Sequence, residues 1–160
     1  MSEFHIITEY PHSAEKVWHA LTDPELVPLW TSTGRGGRPE GFRPEVGNHF
    51  RLVGRAVPGW NGIVDCEVLA VEPPVMLRHT WKGDEHEPSI VTWRIESTSA
   101  GSRLTYDHTG FQGVDGVIMS KLVLGPVRRR MLRSGLPRVL GAIDDSGHIR
   151  PGACLTPRAS

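Results

Sequence analysis

Between residues 48 and 111 the chain alternates polar and apolar side chains in five runs: "NHFRLVGRA", "GIVDCEVLAVE", "VMLRHTWK", "SIVTWRIES" and "LTYDHTGF". A period of two marks strands with one buried face, because successive strand side chains point to opposite sides. The connectors between the runs are short. A parallel crossover needs roughly a dozen residues or more, so these strands have to pair antiparallel. That requirement excludes a doubly wound α/β sheet and leaves a meander whose inner face must be covered by something else.

The alternation also sorts the side chains. Phe50 and Leu52 lie opposite Arg51 and Val53. Val64, Cys66, Val68 and Ala70 share one side of the second run. Its other side mixes Asp65 and Glu67 with Leu69 and Val71, a break that predicts a β-bulge. Leu77, His79 and Trp81 fall opposite Arg78, Thr80 and Lys82, and Val91, Trp93 and Ile95 point inward in the next run. In "LTYDHTGF" Leu104, Tyr106 and His108 lie opposite Thr105 and Asp107. A phenol and an imidazole thus sit on the face that should be apolar. They could be a catalytic pair, metal ligands, the lining of a ligand cavity, or satisfied core groups.

The flanks supply the rest. "EFHIITEY" (3–10) is β-branched and aromatic and reads as a further strand. Pro11 stops it. Ser13 is placed to cap a helix in which Ala14, Val17, Trp18 and Leu21 recur at helical spacing. "TDPELVPLW" predicts a second short helix, capped by Asp23 with Pro24 at its first position and Pro28 near enough to the start to be tolerated. Residues 31–47, "TSTGRGGRPEGFRPEVG", predict a long mobile connection placed to act as a lid. Their glycines fit neither G-x-G-x-x-G nor the phosphate-loop spacing. After residue 113 the spacing becomes helical, through Val114, Val117, Ile118 and Leu122, then Val127, Met131, Leu132, Leu136, Val139, Leu140 and Ile143. Pro126 is expected to break this helix or begin a new one, and Pro137 to kink it. The expectation is one α+β domain over residues 1–143. It has a curved antiparallel sheet of about six or seven strands wrapped around a long C-terminal helix, and two short helices after the first strand. Residues 144–160 read as a frayed polar tail.

Eighteen basic residues balance eighteen acidic ones, which argues against direct nucleic-acid binding driven by bulk charge. No apolar run approaches the roughly 18 residues of a membrane helix. The start of the chain shows no basic segment followed by an apolar one, so a cytoplasmic protein without membrane contact is expected. Cys66 and Cys154 are far apart, and the eight histidines are scattered without metal-ligand spacing, so neither a disulfide, a metal nor a cofactor is expected. "DEHE" around His86 reads as a solvated turn. Arginine outnumbers lysine fifteen to three, a bias associated with bacterial genomes of high GC content.

Several stretches carry a resemblance: "EKVWHALTDPELVPLW" (15–30), Gly47 with Phe50, "VEPPVMLRHTW" (71–81), "VTWRIE" (91–96) and "GSRLTYDHTGF" (101–111). In order and spacing the chain resembles the Bet v 1-like or START-like (SRPBCC) helix-grip superfamily over residues 3–143. It is most similar to the branch related to the C-terminal domain of the Hsp90 ATPase activator. The resemblance implies the fold more than the chemistry, because this superfold hosts lipid binders, polyketide cyclases, co-chaperones and antibiotic self-resistance proteins. Members of the branch often have a tryptophan in the C-terminal helix. This chain has "LGPVRRRMLRSGLPRVL" there instead, which is closer to polyketide cyclase or lipid-transport members.

Taken together, Phe50, Leu77, His79, Trp81, Val91, Trp93, Tyr106, His108, Phe111, Ile118, Leu122 and Met131 are the candidate lining of a cavity between sheet and helix. The leading expectation is a binding protein, monomeric or weakly homodimeric, for a hydrophobic or aromatic small molecule. Self-protection against a polyketide or enediyne-type metabolite is one concrete version of it. A second expectation is a cyclase or dehydratase in which His108 or His79 acts as general base with Tyr106 as polarising donor, since an unperturbed imidazole titrates near neutrality. A third is a co-chaperone-like module for an Hsp90 homologue. Arg128, Arg129, Arg130 and Arg133 read as a solvated helix face.

Overall fold

The computed structural model describes residues 2–31, 38–54, 62–82, 88–111 and 125–153. Its first strand, β1 (Ser2–Tyr10), leads into α1 (Ala14–Thr22) and α2 (Val27–Trp30). Then come β2 (Arg38–Glu40), β3 (His49–Val53), β4 (Ile63–Glu72), β5 (Met76–Trp81), β6 (Ser89–Thr98) and β7 (Gly101–Phe111). The C-terminal helix runs as α3 (Gly125–Arg130), a π-helical turn (Met131–Gly135) and α4 (Leu136–Ala142). The strands form one antiparallel seven-stranded sheet in the order β1-β7-β6-β5-β4-β3-β2. The curved sheet closes over the helices on one face, as the alternation required.

The N-terminal helices follow their caps. Ser13 Oγ accepts from the Lys16 amide at 3.2 Å, which satisfies one donor left open at the start of α1. The second helix starts later than its sequence suggested. Asp23 Oδ1 accepts from the Glu25 amide at 2.9 Å and closes a turn, so Pro24 falls in that turn. Pro28 instead occupies the first turn of α2, where a missing N–H costs no hydrogen bond.

Three further expectations can be followed into the structure. The connection 31–47 is not loop throughout: Arg38–Glu40 pairs with β3. Pro39 is tolerated there because β2 is the edge strand of the sheet among the described residues. Residues 32–37, the glycine-rich part of the expected lid, lie outside the described residues. In β4 the predicted bulge is present, between Val68 and Ala70. Leu69 is the extra residue, and its insertion turns Ala70 to pair with Arg78 rather than continue the Val64–Cys66–Val68 side, while Val71 rejoins the inner face opposite Leu77.

The third concerns Pro137. In a plain α-helix its ring would collide with the carbonyl four residues back. The chain widens instead: the Leu136 amide donates to Met131 O, five residues back. In that register the next donor should come from residue 137, which has no N–H. The orphaned Leu132 carbonyl accepts the Tyr10 hydroxyl at 2.5 Å. Of the residues that the periodicity put on the apolar side of this helix, Val127 is exposed, whereas Met131, Leu132, Leu136, Val139, Leu140 and Ile143 are buried. They pack with Val17, Trp18, Leu26 and Trp30 and with Ile6, Ile95 and Leu104 of the sheet. Each fully buried aliphatic side chain stabilises the fold by about 1.5–3 kcal/mol.

The polar segment after residue 143, expected to fray, makes defined contacts as far as Ala153. Ile143 and Ile149 form a β-bridge, and Arg150 N–H donates to Ala142 O at 2.8 Å. Among the described residues no helix is long and apolar enough to cross a membrane.

Candidate functional site

The register of the sheet lines up the inward side chains in rows. One row runs Val68–His79–Val91–His108 across β4, β5, β6 and β7, each residue directly paired with the next. The adjacent row runs Leu77–Trp93–Tyr106–Ile6 from β5 to β1. Trp81 pairs with Ser89 one step beyond the histidines. Strand parity therefore brings both histidines, both tryptophans and the tyrosine onto one patch of the inner face. The Trp93 and Tyr106 rings meet edge-on at 4.6 Å, Trp81 and His108 at 5.6 Å, and Phe50 and His79 at 5.5 Å.

Hydrogen bonds fix both imidazoles. His79 Nδ1 lies 2.9 Å from the Thr80 carbonyl, which can only accept, so Nδ1 carries the proton. Its Nε2 lone pair then accepts the Trp93 indole N–H at 3.2 Å. A similar chain runs through His108. The Ser89 hydroxyl donates to Trp81 O at 3.2 Å, His108 Nε2–H donates to Ser89 Oγ at 2.7 Å, and the Tyr106 hydroxyl donates to His108 Nδ1 at 3.2 Å. Each ring is neutral, with one nitrogen donating and the other accepting.

The electrostatics agree with this assignment. Burial pushes His79 down to about 4; the Arg128 charge adds to the shift, and the Thr80 bond opposes it. Burial pushes His108 down to about 3, with the charges of Arg128 and His79 contributing. Burial also raises the Tyr106 hydroxyl, so it stays protonated. The expectation of an imidazole titrating near neutrality is thereby corrected, since both rings are buried among apolar walls and the charge that bears on them is positive. A ring with so low an affinity for protons, and with its lone pair already engaged, is a poor general base. Cys66 is no better a nucleophile, because burial pushes its thiol up to about 12.

Three residues at the site, Ser89, Arg128 and Trp30, are absent from the lining expected from the sequence. Ser89 occupies the next inward position of β6 before Val91 and Trp93, so parity could have found it. Arg128 was assigned to a solvated face together with Arg129, Arg130 and Arg133. In the structure its guanidinium carbon lies 4.5 Å from the Trp81 ring centroid and 5.8 Å from that of Tyr106. The usable signal was its spacing: Arg128 stands three residues before the buried Met131, on the same side of the helix. Trp30 also reaches the site, its ring edge-on to Trp93 at 6.1 Å. Of the expected lining, Ile118 and Leu122 lie outside the described residues, as does the side chain of Phe111. Among the described residues, no three His, Cys, Asp or Glu side chains are grouped to hold a metal ion.

Comparison with known proteins agrees with this architecture. Protein MLL2253 from Mesorhizobium loti has 28% sequence identity, over 82% of this chain and 94% of its own, with a TM-score of 0.64. A Rhodobacter sphaeroides protein superposes with a TM-score of 0.74 at 20% identity, over 89% of this chain and 94% of its own. DynU16, a protein of the dynemicin biosynthetic locus, matches at a TM-score of 0.63 and 23% identity, over 83% of this chain but 46% of DynU16. No curated protein matches the sequence. The family model for activator of Hsp90 ATPase homolog 1-like proteins matches residues 11–122, and the chain belongs to that AHSA1 family, in the SRPBCC helix-grip branch that the sequence motifs pointed to.

Proposed function

We propose that the protein binds a small aromatic or hydrophobic molecule in a cavity between the inner face of the sheet and the C-terminal helical segment, and holds it without chemical change. Trp81, Trp93, Tyr106 and Phe50 supply flat walls, and the two histidines, held in place by their own hydrogen bonds, complete the lining. The observation that carries this reading is the state of the imidazoles: both are neutral and both already have a donor on the accepting nitrogen. Such groups do not pull a proton from a ligand. Sequestration of a secondary metabolite, for self-protection, is the concrete form we favour. DynU16, a structural neighbour encoded in a biosynthetic locus, supports it.

Titration with the neutral dye N-phenyl-1-naphthylamine tests the reading. The expected result is saturable binding that weakens at least tenfold in Trp93→Ala and leaves the dye unchanged by mass spectrometry. Absence of binding, or equal binding by a folded Trp93→Ala variant, would overturn it. Family membership favours one second reading, a co-chaperone module. Stimulation of the ATPase of an Hsp90 homologue by the purified protein would establish that reading.

A further inference from the structure

Arg128 is the one cation described on this otherwise neutral wall. Its guanidinium stacks over Trp81 and hydrogen-bonds the neutral Tyr106 hydroxyl, and Nη1 meets the thioether of Met131 at 3.8 Å, a weak acceptor. Its Nε is shut off from solvent and has no hydrogen-bond partner among the described residues. None of the ion pairs among those residues involves Arg128. Arg128 as a whole is half-buried, but a buried guanidinium N–H needs an acceptor, which an anion reaching the open side of the fork would bring and a ring face supplies only in part. The groups around it bring no negative charge: burial holds His79, His108 and Tyr106 in their neutral forms.

We infer that the molecule held on the inner face is an aromatic carboxylate, whose acid group pairs with Arg128 while its ring lies against Trp81 and Trp93. The inference rests on the proposed binding function and specifies its ligand class. The planar fork of arginine matches a carboxylate in two parallel hydrogen bonds, and the adjoining indoles accept a flat ring. The neutral histidines complete the fit, since they leave Arg128 as the charge that selects the ligand.

Calorimetric titration at pH 7.5 with 2-naphthoate and its neutral isostere 2-naphthamide tests it. The wild-type protein should bind the acid at least tenfold more tightly than the amide. Arg128→Met should abolish that preference by weakening the acid alone, and Arg128→Lys should retain part of it. If Arg128→Met does not fold, Arg128→Gln serves the same comparison. Equal affinities in the wild type would overturn the inference, because the guanidinium would then be satisfied within the chain. So would a preference that survives removal of the charge. In both cases binding of N-phenyl-1-naphthylamine would leave the cavity reading standing. Failure of all three compounds to bind would sink both.

Discussion

The indole N–H of Trp93 donates to Nε2 of His79 at 3.2 Å across the β5–β6 pair. It locks the imidazole as the Nδ1–H tautomer and leaves no lone pair for a substrate. Trp93→Phe keeps most of the ring and removes the donor, so His79 is left with an unsatisfied buried acceptor. Urea unfolding should show a loss of about 1–3 kcal/mol, the scale of one orphaned buried polar group. Nitrogen chemical shifts of His79 should report the Nδ1–H form in the wild type. An Nε2–H signal there would refute the assignment.

The two buried histidines make stability depend on pH in one direction. In the unfolded chain an imidazole binds its proton near 6.5, whereas His79 and His108 in the folded protein wait until about 4 and about 3. Well above 6.5 neither state is protonated and the difference vanishes. Below 6.5 the unfolded state takes up protons that the folded state refuses, so stability falls as the pH drops. The slope is up to about 1.4 kcal/mol per pH unit for each histidine. His12 acts with the same sign, because burial and the Lys16 ammonium 3.1 Å away push it down too. The window from about pH 6.5 to about 4.5 is diagnostic, since most carboxylates stay ionised there. Urea unfolding across that window should show the decline, and His108→Gln should flatten it. A stability independent of pH over that range would contradict the buried neutral state.

The parts of this arrangement that follow from local periodicity could be read in advance. Tyr106 and His108 face inward because Leu104 does, and a strand offers only two sides. The bulge was visible as the change of side between Glu67 and Leu69. What could not be read depended on neighbours distant in sequence. Pro39 looks like a strand breaker until β2 is seen to end the sheet of the described residues. Arg128 looks solvated among four arginines until Trp81, 47 positions earlier in the chain, is found beneath it. Pro137 predicted a kink, and whether the helix bends or widens depends on a donor from elsewhere being available for the stranded carbonyl.

That donor gives a further prediction. Tyr10 lies 122 residues from Leu132, and its hydroxyl caps the carbonyl that Pro137 leaves without an amide partner. Tyr10→Phe should cost about 1–2 kcal/mol of stability. In a Pro137→Ala background the helix regains an N–H and can satisfy Leu132 O itself, so the same Tyr10→Phe change should then cost less. A double-mutant cycle in urea measures the difference. Equal costs in both backgrounds would show that the proline is not the reason for the contact.

Two glycines of the same helix should respond oppositely to the same change. Gly135 ends the π-helical turn where it crosses α2, and a Cβ built on it would fall 2.4 Å from the Trp30 carbonyl oxygen. That neighbour is backbone, anchored further by the Trp30 indole donating to Ala20 O at 2.7 Å, so it cannot swing aside. Gly135→Ala should therefore push α2 and the C-terminal helix apart and cost about 1–3 kcal/mol, the usual penalty for overpacking. Gly141 lies further along α4, exposed, and a Cβ added to it would meet nothing within 4 Å. There alanine only removes backbone freedom from the unfolded chain, and Gly141→Ala should stabilise by about 0.5–1 kcal/mol. Thermal unfolding of the two variants beside the wild type reads both signs at once. A Gly135→Ala variant as stable as the wild type would mean that the close crossing of Gly135 over Trp30 does not hold in solution.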